Sequence, residues 1–221
     1  MNEYYQVQKK RGLSKFNVTL LLVIINIFCF IFFTALIYFN PNFLDYIALK
    51  PSNIINNFYF WTFFTSMFMH GGVFHLFANM FSFLFLGKFT EKILGKKRFL
   101  IFYLLAGLFA GIIFVLISLI FPADFNTYAV GASGALFGLI GLTMILTPNL
   151  PVFIMFIPIP IKMKYAAPAM LILLWGISVL GNVSIGNTAH LGGLIAGLIY
   201  GIYLKKKYKN KTKYINQYFS K

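Results

Sequence analysis

Acidic side chains are nearly absent from this chain. Of 221 residues only four are Asp or Glu, and charged residues of both signs make up 10%. The single cysteine, Cys29, excludes a disulfide within the chain. There is no H-E-x-x-H motif, and no acid follows or precedes His75 or His190 closely enough to orient a histidine ligand. Metal chemistry and sites built on paired carboxylates are therefore disfavoured.

Long apolar runs dominate instead. Hydrophobic residues make up 60% of the chain and the mean hydropathy is +0.81, values typical of membrane helices. Six runs could cross a bilayer as helices: 17–39, 67–87, 98–121, 132–147, 165–181 and 189–204. We predict an all-α membrane protein with one six-transmembrane-helix bundle over 17–204. A short N-terminal tail (1–16) precedes it, and a basic tail (205–221) follows it.

The net charge of +15 could indicate a nucleic-acid partner, but its distribution argues against one. Six spans would place 18 of the 19 basic residues on one side of the membrane and only Lys50 on the other. This is the positive-inside pattern, and it predicts that both termini are cytoplasmic. The basic tail would also contact anionic membrane lipid. Short tails without an import peptide favour a prokaryotic plasma membrane.

Two connecting segments are unusually apolar for loops. Residues 40–66 carry many aromatic side chains and predict an element lying on the outer leaflet. Residues 147–164 contain four prolines, which break helices, so we expect irregular interfacial structure and no seventh span. Loop 88–98 is expected to be short, basic and cytoplasmic.

Polar side chains stand at the heads of the fourth and sixth predicted spans. Ser133 lies in Gly131-Ala132-Ser133-Gly134, and His190 lies in Ala189-His190-Leu191-Gly192-Gly193. Both spans are short, so both residues should sit below the outer surface, at the floor of a wet cavity. Glycines spaced for close helix packing would bring the two spans together. Histidine is the usual base for a serine nucleophile.

A carboxylate that would complete a catalytic triad is missing. Glu3, Asp45, Glu91 and Asp124 are the only acids, and none is placed at the depth of His190. If the protein is a serine hydrolase, it uses a Ser133–His190 dyad, with the imidazole oriented by packing, for example on Phe137.

The second span adds His75 and Asn79, which share a helix face at i, i+4 near the depth of Ser133. With the Ser133 backbone N–H they could stabilise an oxyanion, while Gly131 and Gly134 allow a tight backbone. His70 is expected to have a wet, interfacial role. Each feature alone has a structural explanation, namely helix packing or an interhelical hydrogen bond. Their coincidence at one depth on three helices favours function.

These motifs, in this order, resemble those of the rhomboid family of intramembrane serine proteases. The resemblance covers about residues 17–204. It rests on His70-Gly-Gly-Val-Phe-His75-Leu-Phe-Ala-Asn79, on the G-x-S-G motif at 131–134 and on the A-H-x-x-G motif at 189–193. Glu91-Lys92 with Gly95 also resembles the inner end of the family's second helix.

The resemblance implies Ser133 as nucleophile, His190 as general base and then acid, and His75 and Asn79 as oxyanion contacts. It implies cleavage of transmembrane segments of other proteins without a cofactor. Substrates would enter laterally near the fifth helix, with loop 181–188 capping the site. Two positions depart from the family: Thr62 follows Trp61 where arginine is common, and Phe137 stands where tyrosine is common.

Three other functions remain possible at this point. A catalytically silent relative would bind transmembrane helices, and the intact dyad argues against it. A small-molecule transporter should show internal repeats, which are not seen. A purely structural bundle leaves the polar residues unexplained.

Overall fold

The computed structural model describes residues 17–154, 157–181 and 185–219, with the side chain of Tyr218 excepted. The predicted tail 1–16 therefore lies outside the described residues, as does part of loop 181–188. Among the described residues, six helices of 14 to 25 residues form the bundle: α1 (Val18–Phe39), α5 (Val73–Leu94), α6 (Lys96–Ile120), α7 (Ser133–Leu146), α8 (Met163–Gly181) and α9 (Asn187–Lys207). The protein is an all-α membrane protein. Four of the helices, α1, α5, α6 and α8, are long and apolar enough to cross a membrane.

Shorter elements connect them. Between α1 and α5 lie α2 (Phe43–Ile47), α3 (Pro51–Asn57), α4 (Thr62–Thr65) and a 3₁₀ turn (Ser66–Phe68). A second 3₁₀ turn, Pro122–Asp124, follows α6, and α10 (Lys209–Tyr218) follows α9. Strands β1 (Pro151–Val152) and β2 (Ile161–Lys162) form an antiparallel pair with Pro151 opposite Lys162. The segment 147–164 thus contains a short hairpin, and residues 155–156 within it are not described.

Helix α7 forms the centre of the bundle, between α6 and α9. Its residues Ala135–Thr143 are all buried, so lipid contacts it little. A Cβ added at Gly193 would overlap the carbonyl oxygen of Gly134, and one at Gly197 would overlap that of Gly138. The backbones of α7 and α9 therefore touch directly, which brings the two polar helix heads together.

Several helix boundaries differ from the sequence prediction. The second helix runs from Val73 to Leu94 and not over 67–87, because Gly72 and Gly95 bound it. Only Gly95, with φ +78°, separates it from α6, so the predicted loop 88–98 is mostly helical. The sixth helix has 21 residues, about 31 Å at the α-helical rise, and is not short. Only α7, with 14 residues or about 21 Å, is a short helix of this set.

A buried carboxylate joins the basic ends of α1 and α5. Glu91 accepts hydrogen bonds from the backbone N–H groups of Val18 (3.0 Å) and Thr19 (2.9 Å) and from the Thr19 hydroxyl (2.8 Å). Because the first N–H groups of a helix have no partners within it, Glu91 caps α1 from another helix. This contact aligns the two helices before they reach the site at the opposite end.

Candidate active site

Ser133 and His190 meet where α7 and α9 begin. Ser133 is the first residue of α7, and His190 is in the first turn of α9. The His190 Nε2 and the Ser133 Oγ are 2.7 Å apart, a hydrogen bond between side chains 57 positions apart in sequence. His190 is only 6% exposed. The pair has the geometry in which an imidazole can remove the hydroxyl proton of serine.

An aromatic ring holds the imidazole, and no carboxylate of the described residues does. The rings of Phe137 and His190 are stacked with centroids 4.6 Å apart and planes 21° apart. His190 Nδ1, where the third member of a triad would bind, is buried and has no hydrogen-bond partner within the described residues. The arrangement is therefore a dyad supported by stacking.

His75 lies beside Ser133, and its orientation is fixed from the backbone. The N–H of Gly71 donates to His75 Nδ1 at 3.3 Å. Since Nδ1 accepts, the neutral ring carries its proton on Nε2. A Cβ added at Gly131 would lie 2.9 Å from His75 Nε2 and 3.8 Å from Ser133 Oγ. The Nε2–H edge thus faces the small space in front of Ser133.

Asn79 is buried one turn further along α5. Its amide Nδ2 donates to the His75 carbonyl at 2.9 Å, and its Oδ1 is buried without a partner in the described part of the chain. The amide group carries a second N–H beyond the one used. Asn79 therefore supports the His75 turn and keeps one donor available.

Gly131 makes the turn before Ser133 possible. Its φ of +112° lies in the region that favours glycine, and the close His75 ring leaves no room for a Cβ. Its N–H donates to the Ser66 carbonyl at 2.8 Å. Gly134 has a different role, because a Cβ there would press on Ala110 of α6 at 2.8 Å.

Sequence reasoning missed two contributors around His75. The first is the Gly71 N–H, which sets the tautomer. The second is His70, which is 3% exposed and packs its ring edge-on against His75, with centroids 5.2 Å apart. The expectation of a wet interfacial His70 is wrong, because the segment before α5 folds inward. The close spacing of His70, Gly71 and His75 was the available signal.

Comparison with known protein families identifies the family of this chain. The family model of the rhomboid domain matches residues 57–207. The chain belongs to the rhomboid family. That match includes Ser133, His190, His75 and Asn79, and membership supports intramembrane proteolysis or a related rhomboid function.

Similar rhomboid proteins come from Arabidopsis thaliana. RHOMBOID-like protein 1 is 36% identical over 158 residues, which cover 70% of this chain and 37% of the relative. RHOMBOID-like protein 7 is 34% identical over 160 residues, covering 71% and 47%. Inactive RHOMBOID-like protein 8 is 32% identical over 94 residues, covering 42% and 25%. The chain spans less than half the length of these relatives.

Proposed function

We propose that this rhomboid-family protein is an intramembrane serine endopeptidase that cleaves transmembrane segments of other proteins through a Ser133–His190 dyad. The observation that carries the proposal is the 2.7 Å contact between His190 Nε2 and Ser133 Oγ. The partly buried Ser133 hydroxyl and the buried His190 imidazole come from different helices, and helix packing alone does not require a hydrogen bond between them.

The reaction begins when His190 Nε2 takes the proton of Ser133 as Oγ attacks a peptide carbonyl carbon. The resulting oxyanion lies between the His75 Nε2–H, the free amide N–H of Asn79 and the Ser133 backbone N–H. When the tetrahedral intermediate collapses, the C–N bond breaks and His190 gives its proton to the leaving amine. Water then attacks the acyl-enzyme by the same steps, with His190 again as base, and releases the carboxyl product.

Stacking on Phe137 takes over the orienting task of a third triad residue. The phenyl ring limits rotation of the imidazole while Nδ1 keeps its proton, as required for a neutral Nε2 base. Phenylalanine in place of the family's more common tyrosine removes a hydroxyl that this stacking does not use.

A substrate helix would enter beside α8. Its outer half presents an apolar face formed by Ile172, Leu173, Gly176, Ile177, Leu180 and Gly181. Such a surface suits a transmembrane segment. The capping role expected of loop 181–188 falls largely on residues 182–184, outside the described residues.

The topology we propose has six spans over 17–204, both termini in the cytoplasm, and the basic tail beyond. The contacts of Glu91 with Thr19 and of Arg98 with Tyr208 gather basic helix ends at one end of the bundle. The relatives given above are plant proteins and lend no support to the prediction of a prokaryotic membrane.

The test is cleavage of single-span reporter proteins in liposomes containing the purified protein. Wild type should cut at least one reporter, while Ser133→Ala and His190→Ala should cut none and still fold. Ser118→Ala is the matched control, because Ser118 is a buried helix serine whose hydroxyl donates to the Val115 carbonyl. It should keep full activity.

A catalytically silent function is the second candidate, since one similar protein is named inactive. Wild type that binds the reporters and cuts none, and whose Ser133 does not react with a fluorophosphonate probe, would establish that alternative. Equal cleavage by wild type and Ser133→Ala would contradict the dyad.

A further inference from the structure

A cluster of three cations surrounds one tyrosine ring at the basic end of the bundle. The Arg98 Cζ lies 5.8 Å from the centroid of the Tyr208 ring, and the Lys207 and Lys211 Nζ atoms each lie 5.9 Å from it. The cations come from three helices, α6, α9 and α10. Cation–π attraction to the ring draws them together. We call these four residues the Tyr208 cluster.

The charges of this cluster are not neutralised by protein within the described ranges. The ion pair in the described residues, between Lys50 and Asp45, is at the opposite end of the bundle from the cluster. Asp124 is also at that end, where it accepts from Thr188, and Glu91 is occupied by α1. The α9 dipole accounts for lysines in its own last turn, but not for Arg98 and Lys211.

The fold of α10 keeps the cluster together. This helix does not continue α9. It packs against the end of the bundle, where Thr212 is buried. The rings of Phe219 and of Phe89 in α5 pack edge to face there, with centroids 5.9 Å apart. Lys211 is thereby held near the same tyrosine ring as Arg98, and both side chains are exposed.

The place of the cluster in a membrane indicates its ligand. Tyr203, Tyr208 and Tyr214 follow the apolar part of α9, where tyrosines mark the headgroup level of a bilayer. Lys207 Nζ also donates to the Tyr203 hydroxyl at 2.8 Å, so the aromatic and cationic groups form one network. Phosphate groups are the anions available at this depth.

We propose that the Tyr208 cluster binds the phosphate headgroup of an anionic phospholipid. Guanidinium and ammonium groups from three helices would converge on one phosphate, and the lipid would join α6, α9 and α10. This site is separate from the dyad and needs no proteolysis to be measured.

The test is native mass spectrometry of the purified full chain with phosphatidylglycerol or phosphatidylcholine of the same acyl chains. Wild type should bind phosphatidylglycerol more tightly. The double variant Arg98→Gln/Lys211→Gln should lose about 30-fold in that affinity, with little change for phosphatidylcholine. The matched control Lys92→Gln/Lys162→Gln removes the same charge from exposed positions outside the cluster and should keep the affinity.

A charge-conserving variant sharpens the result. Tyr208→Leu keeps every cation but removes the ring that gathers them, so it should also lower the affinity for phosphatidylglycerol. Equal losses in the cluster variant and the control variant would show diffuse charge and overturn the site. Inorganic phosphate that binds as tightly as phosphatidylglycerol would overturn the lipid assignment, and equal binding of both lipids by wild type would overturn the proposal.

Discussion

Two buried asparagines illustrate what separates a structural residue from a site residue. Asn26 in α1 and Asn79 in α5 each donate Nδ2 to the carbonyl four residues earlier, Leu22 at 2.7 Å and His75 at 2.9 Å. Each also has a buried Oδ1 without a partner in the described chain. Local geometry is the same in both. What differs is the neighbourhood: Asn79 supports the helix turn that carries His75, which lies beside Ser133.

Asn79→Ala should lower kcat by about 10²–10³ while leaving residual cleavage, since one oxyanion donor is removed and others stay. Asn26→Ala is the matched control and should lower thermal stability without changing kcat of the folded protein. Reporter cleavage and melting temperature, measured on both variants, check this. Wild-type kcat in Asn79→Ala would remove Asn79 from the oxyanion site.

At the scale of elements, the segment 40–66 holds the chain that leads to Ser133. The Tyr128 hydroxyl donates to Asp45 at 2.7 Å, Ala129 pairs with Leu49 through two backbone hydrogen bonds, and Gly131 donates to Ser66. These contacts tie three of the five residues before Ser133 to that segment. Thr62, at the position where the family often has arginine, is buried and donates to the Tyr59 carbonyl at 2.7 Å.

The Asp45 carboxylate is the charged centre of this connection. Burial raises its pKa, but hydrogen bonds from Tyr128 and Asn53 and the nearby Lys50 ammonium outweigh burial and hold the pKa of Asp45 below its usual value. A lowered carboxyl pKa stabilises the fold above the unfolded-state pKa, and that contribution is lost as pH falls through the folded-state pKa. The connection is therefore intact at neutral pH.

Tyr128→Phe should lower kcat several-fold with KM nearly unchanged, because the path to Ser133 loosens while the apolar face of α8, where we propose that substrate enters, is untouched. Tyr38→Phe is the matched control, since Tyr38 is an outer tyrosine with 84% exposure. Steady-state cleavage kinetics of both variants give the answer. A rise in KM alone would mean that the segment binds substrate instead.

The close contact between the backbones of α7 and α9 can be tested by adding a methyl group at the interface. Gly197→Ala places a methyl group against the carbonyl of Gly138 and should separate the helices, lowering stability by about 1–3 kcal/mol together with activity. Gly176→Ala, on α8 with nothing within 4 Å of the added Cβ, should be neutral or slightly stabilising. Thermal unfolding of the two variants tests this, and equal melting temperatures would contradict the backbone contact.

The whole molecule is polarised, with the dyad at one end and the basic residues at the other. If both termini are cytoplasmic, a thiol at Lys213→Cys should react with an impermeant maleimide only in inside-out vesicles, and one at Lys50→Cys only in right-side-out vesicles. Both are made in a Cys29→Ser background, because Cys29 is the one native thiol. The opposite labelling pattern would invert the proposed topology.

Much of the architecture follows from the pattern of apolar and polar residues in the sequence. Apolar runs separated by Gly, Pro and basic clusters predicted helices where α1 and α5 to α9 occur, and the all-α membrane class is confirmed. The number of membrane spans stays a prediction. The residues at which the helices begin and end were less predictable. His70 and the start of α5 were misplaced because Met67 and Phe68 are apolar whether they belong to a membrane helix or, as here, to a buried 3₁₀ turn.

The sequence alone determined the membrane class, the places of the helices and the order of the motifs that carry Ser133, His190 and His75–Asn79. The physical reason is that partition into a membrane depends on residue type, through apolar length and the distribution of lysines. The tertiary structure decided which of those residues meet. The 2.7 Å contact of His190 with Ser133, the tautomer of His75 and the gathering of Arg98 and Lys211 around Tyr208 each join residues from different helices or a helix and a loop. Such contacts depend on how closely backbones approach, and that distance is set by packing in three dimensions.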